Sequence, residues 1–188
     1  MELLPQPYWA STVNNDGLVA GYLTGSPTYL VWNPDLGTTT DIGGVSPGGN
    51  AGGQAKFSAD GTKLSGSDMG ATASEMATYD MATDTWTTHG GIGGVSDGNT
   101  SSGWSISGDG GTLVGLGWVN SGSAHGVAYN AAEGIMDLGT INAGASTRAN
   151  AVSDDGSIVV GWQDLNGPWK AAVWHKDPNG ATSPIPTS

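Results

Sequence analysis

Cysteine is absent from this 188-residue chain, arginine occurs once, as Arg148, and the five basic residues stand against seventeen acidic ones. Without cysteine no disulfide can staple the fold, and the absence suits any redox compartment. A formal net charge of −12 repels a phosphate backbone and an anionic lipid surface alike, so neither nucleic acid nor membrane is an expected partner. No apolar run of roughly eighteen residues exists, so no bilayer-spanning helix is expected. Met1–Trp9 is short and lacks a basic start, so no secretory signal is read there. A sustained helical apolar period is missing too. Even the alanine-rich Met69–Ala82 is interrupted by Gly70, Thr72 and Thr78.

What the chain does contain is a repeat. Ala151-Val152-Ser153-Asp154-Asp155-Gly156-Ser157-Ile158-Val159-Val160-Gly161 reads as a strand, a tight Asp-Gly turn and a β-branched second strand. Related copies end in Gly21, Gly66 and Gly115, and their turn aspartates Asp16, Asp60, Asp109 and Asp155 are separated by 44, 49 and 46 residues. An apolar residue precedes each aspartate by three places: Val13, Phe57, Ile106 and Val152. A third strand ends in an aromatic residue, Trp32, Tyr79, Tyr129 or Trp174, and an outer strand follows in the first three copies. That period, filled with short strands, predicts an all-β fold: a β-propeller of about four four-stranded antiparallel blades. The blades are drawn as residues 8–44, 45–94, 95–142 and 143–180, with 181–188 as a tail. No outer strand is read after Trp174. Met1-Glu2-Leu3-Leu4 resembles Met136-Asp137-Leu138-Gly139, so residues 1–7 are expected to complete the last blade, in the same chain or in a neighbour.

The stretch Ala151–Gly161 with Val173-Trp174, and Ile135–Thr140, resembles the HAF-type extracellular repeat family. The second copy departs from it, since Lys63 and Ser65 interrupt the apolar run and His89 stands where the Asp-Leu pair is expected. The resemblance implies a propeller in a secreted or surface protein and brings no catalytic residues with it.

Candidate chemistry is thin. The Ser-x-Asp-Gly hairpins look like the Asp-box of sialidases, but a sugar acid is held by several arginines and only Arg148 is present. The four turn aspartates are therefore read as structural, binding their own turn backbone. No calcium-loop spacing of carboxylates occurs, and His89, His125 and His175 fall in different blades, so no metal or other cofactor is expected. No dinucleotide or phosphate loop is present and no nucleophile elbow is expected; the turn carboxylates are spread around a ring and cannot converge for glycoside hydrolysis. The chain is expected not to be an enzyme.

Four tryptophans lie outside the repeat pattern: Trp9, Trp104, Trp118 and Trp169, the last beside Asp164 and Asn166. The strand order places all four on one rim. Exposed indole beside amide and carboxylate groups suits glycan stacking and protein hot spots. The expected function is a non-catalytic extracellular or cell-surface binding module for a glycan or protein partner. Two alternatives are a structural subunit assembled by donating Met1–Leu4 and, more weakly, a glycan-active enzyme.

Overall fold

The computed structural model describes residues 8–48, 52–93, 100–176 and 182–184. They form four four-stranded antiparallel sheets, and no helix occurs among them. The first sheet holds β1 (Tyr8–Val13), β2 (Val19–Leu23), β3 (Tyr29–Asn33) and β4 (Thr38–Gly43), and the second β5 (Lys56–Phe57), β6 (Lys63–Met69), β7 (Ser74–Asp80) and β8 (Thr85–Thr88). The third holds β9 (Ser101–Ile106), β10 (Thr112–Asn120), β11 (Ser123–Asn130) and β12 (Gly134–Asp137). The fourth holds β13 (Thr147–Val152), β14 (Ile158–Asp164), β15 (Trp169–Lys176) and β16 (Thr182–Pro184). Each sheet is a meander in chain order, and β1, β5, β9 and β13 pack on one another in succession, so they are the inner strands. The fold is a β-propeller of four blades.

The Asp-Gly turns build the lower face. Gly17, Gly61, Gly110 and Gly156 all have φ between 69° and 80°, a region that side chains avoid. At three hairpins a serine hydroxyl donates to the turn aspartate: Ser58 to Asp60 at 2.6 Å, Ser107 to Asp109 at 2.5 Å and Ser153 to Asp155 at 2.7 Å. The same carboxylates accept the backbone N–H of Thr62, Gly111 and Ser157. The first hairpin is one residue shorter and works differently. There the Asn14 side chain accepts from the N–H of Asp16 and Leu18, and Asp16 supplies no comparable bond. The serine bond, then the turn N–H, holds the carboxyl of Asp155 down to about 2, and those of Asp60 and Asp109 are lowered in the same way. A carboxylate whose folded pKa is depressed adds stability above its unfolded value and loses it as pH falls through the folded one. Urea midpoints are therefore expected to drop as pH falls from about 4 toward about 2. Asp155→Ala should start lower at neutral pH and drop less; an equal drop in both proteins would remove Asp155 from the acid response.

Three apolar clusters join successive blades. Phe57, Leu64 and Tyr79 meet Ala20, Val31 and Ile42 between the first and second, and Met76 meets Ile106, Leu113 and Val127 between the second and third. Val159, Trp174 and Ala149 meet Val114, Ala128 and Leu138 between the third and fourth. Hydrogen bonds tie the turns together as well: the Asn15 side-chain Nδ2 donates to Ala59 O, and the backbone N–H of Ala59 donates to Gly108 O and that of Asp109 to Asp154 O. The ends of the inner strands, Val13, Phe57, Ile106 and Val152 among them, line a cavity of about 270 Å³.

The expected closure by Met1–Leu4 needs correction. Those residues lie outside the described ones, and the edge of β15 is taken by β16, with Trp174 opposite Pro184 and Lys176 opposite Thr182. A segment a few residues downstream closes a far shorter loop than the opposite end of the chain. Proline misleads here, because at the outermost strand of a sheet its missing N–H costs no ladder hydrogen bond. Thr182–Pro184, within the stretch read as a tail, thus forms the outer strand of the fourth blade.

Candidate binding face

Three of the four inner strands carry a kink. Register shifts at Ser11, Trp104 and Asn150 mark β-bulges opposite Gly21, Gly115 and Gly161. The bulge re-aims the residues beside it. In the fourth blade Arg148 pairs with Trp162, and Trp162 with Ala171; one step toward the rim Asp164 pairs with Trp169. Trp104 of the third blade sits on its own bulge and meets Arg148 across the blade boundary.

The result is a continuous stack. The Arg148 guanidinium lies 3.9 Å from the Trp104 ring centre and 5.5 Å from that of Trp162, and Trp162 and Trp169 stack in parallel at 4.5 Å. Arg148 Nε donates to Asn150 Oδ1 at 3.0 Å, and Trp104 Nε1 donates to Ser102 Oγ at 3.0 Å. Partial burial draws the Arg148 pKa below its ordinary value, but a guanidinium stays charged under all ordinary conditions. Cation–π contacts contribute about 0.5–2 kcal/mol each and the paired indoles about 1 kcal/mol, so the stack is pre-ordered. Trp169 ends it, 66 % exposed, with one ring face open.

Trp104, Trp169 and Asp164 are therefore brought together, and Asn166 stands in the adjoining hairpin loop with φ 61°. Trp9 is placed elsewhere: it stacks on Tyr22 at 6.4 Å and donates from Nε1 to Thr24 Oγ1. Trp118 is half-buried; its backbone N–H bonds Thr100 O, and no ring contact joins it to the other three tryptophans among the described residues. The sequence reading passed over Arg148 and Trp162 as binding residues. A signal for Trp162 existed, since Tyr22 and Trp162 both directly follow the repeat glycine.

Other candidate chemistry is structural. Gly44-Val45-Ser46-Pro47-Gly48 has the Gly-x-Ser-x-Gly spacing, and residues 94–98 repeat it outside the described residues. Ser46 is buried and donates to Ser26 O at 2.7 Å, and no helix follows it among the described residues, so the strand-to-helix setting of a nucleophile elbow is not seen there. His89 stacks on Tyr129 at 3.7 Å and shares a 2.9 Å bond with Thr78 Oγ1, and burial lowers its pKa to about 4, so it is neutral at neutral pH. No group of three metal-ligating side chains occurs among the described residues. No helix there is long and apolar enough to cross a membrane.

No protein-family model matches the chain, and no curated protein does. Solved structures similar to it are propellers. TolB from Acinetobacter baumannii is 17 % identical with a TM-score of 0.59, covering 95 % of this chain and 43 % of its own. A gluconolactonase from Xanthomonas campestris is 12 % identical with a TM-score of 0.59, over 95 % of this chain and 61 % of its own. The β-propeller domain of the Trilobed protease from Pyrococcus furiosus is 13 % identical with a TM-score of 0.55, over 96 % and 58 %. The chain thus spans about half the length of these structures, and the likeness concerns the fold.

Proposed function

We propose that the chain is a non-catalytic extracellular or cell-surface propeller module that binds a glycan or protein partner through the Trp169 end of its aromatic stack. The observation that carries this reading is the Trp104–Arg148–Trp162–Trp169 series, which invests the only arginine of a chain with net charge −12 in holding an indole open to solvent. A rigid aromatic platform with Asp164 and Asn166 alongside supplies a stacking surface and hydrogen-bonding groups at small entropic cost. The resemblance to HAF-type repeats supports the extracellular setting. The structural-subunit alternative, in its strand-donating form, lacks a free edge on β15.

Trp169→Ala is expected to weaken retention on an immobilised polysaccharide or protein partner by roughly thirtyfold, the scale of a hot-spot residue. The melting temperature should move by no more than a few degrees, because the ring is mostly exposed. Retention unchanged in Trp169→Ala, or silence across a broad panel of glycans and proteins, overturns the reading.

A further inference from the structure

Within the chain the second and third blades each use two faces. A leading face packs on the next blade and a trailing face on the preceding one. Ala20 and Val114 stand on leading faces and are buried in clusters with the following blade. Their counterpart in the fourth blade, Val160, is 41 % exposed. Phe57, Ile106 and Val152 stand on trailing faces, each packed against the preceding blade. Their counterpart in the first blade, Val13, is 63 % exposed.

The polar groups tell the same story. Trp174, on a trailing face, donates its Nε1–H to Leu138 O of the preceding blade at 3.0 Å. Trp32 occupies that position in the first blade, and its buried indole N–H has no partner among the described residues. Trp162, on the leading face of the fourth blade, is in the same state. At the top of the trailing face, Ser101 and Thr147 bridge to the blade before them, Ser101 to Gly90 O and Thr147 to Gly139 O. Tyr8, their first-blade counterpart, turns back and donates to Val19 O and Leu30 O of its own sheet. The upper part of that face is thus closed, while the row Val13–Val19–Trp32, paired across three strands, is left below it. No buried apolar cluster joins the fourth blade to the first among the described residues.

We propose that a second copy of this chain docks head to tail. The leading face of the fourth blade, with Val160, Val173, Trp162 and Trp169, seats on the Val13–Val19–Trp32 row of the next copy. The occupant follows from continuity with the three internal interfaces: an unfilled leading face matches an unfilled trailing face, and each copy carries one of each. Such a contact is heterologous, so it closes into a ring if the rotation allows and grows into a filament if not. Copies of net charge −12 repel one another, so added salt strengthens the contact. The inference rests on the binding-module reading and names a partner for its open face.

Sedimentation velocity over a dilution series tests it, using the full chain and the variants Val13→Asp and Val160→Asp. Both residues are exposed, so each variant keeps its fold, which its melting curve checks; Leu36→Asp, at another exposed site, serves as the control that still associates. A carboxylate placed in the contact is expected to weaken association about a hundredfold or more. Each variant alone should therefore stay monomeric, while an equimolar mixture of the two forms dimers, because one intact pair of faces remains. A wild-type chain that is monomeric at every concentration and salt level overturns the inference. So does association that survives Val160→Asp, or a mixture that fails to dimerise. Loss of polysaccharide retention in Trp169→Ala with a chain that never associates leaves the binding reading standing and removes only this partner. Association without retention of any other ligand keeps this partner and removes the glycan.

Discussion

Alanine at Gly115 is expected to lower the melting temperature by about 10 °C. A Cβ built there lies 1.9 Å from Ser102 O, a backbone atom of the adjacent strand, and Gly161 meets Arg148 O in the same way at 1.8 Å. Side-chain rotation cannot relieve a clash between a Cβ and a carbonyl. Relief requires β9 and β10 to part, or the bulge at Trp104 to flatten, in the middle of the third blade. The cost belongs at the upper end of overpacking effects, about 3 kcal/mol, and a domain of this size loses about 2–4 °C per kcal/mol. Gly122→Ala is the control, because its added methyl meets only Asn120 Oδ1 at 3.4 Å. Calorimetry of both variants decides the matter: a shift at Gly115 no larger than at Gly122 means the bulge is soft.

Trp174→Ala is expected to destabilise the fourth blade by about 4 kcal/mol, the range for a large aromatic removed from a core. The ring is buried against Val114, Ala128 and Leu138 of the third blade, so its loss leaves a cavity along one whole interface. The indole N–H also satisfies Leu138 O, and that carbonyl is left without its donor. Trp174→Phe should cost less than the alanine variant, since much of the volume stays, and the difference between the two separates packing from the hydrogen bond. Among the described residues the fourth blade shares a buried apolar cluster with the third blade alone, so limited proteolysis of Trp174→Ala should cut within β13–β16 first. A change below about 1 kcal/mol, or initial cleavage in the first blade, would contradict this account of what holds the series together.

The hairpins, the repeat and the blade count were legible in the residues, because they depend on local rules. Asp-Gly sets a turn, alternation sets which face is apolar, and a glycine after the second strand marks a close approach of neighbouring backbone. The outer strand of the last blade was misread, since Thr182–Pro184 is too short and too proline-rich to signal a strand. Only its position at a sheet edge makes it one. The rim was half legible. Trp104 and Trp169 were singled out for being unrepeated, but so were Trp9 and Trp118, which the fold sends to other surroundings.

By itself, then, the sequence determined four similar antiparallel sheets, their order and the apolar side of each strand, all consequences of chemistry within a few dozen residues. The tertiary structure decided that the one arginine lies between indoles from two blades, and that Val13 and Val160 face solvent where their repeat counterparts are covered. Those facts depend on how separate sheets are placed in space. Identical motifs acquire different surroundings in the first and fourth blades, because among the described residues each of these shares a buried apolar cluster with one other blade and not two.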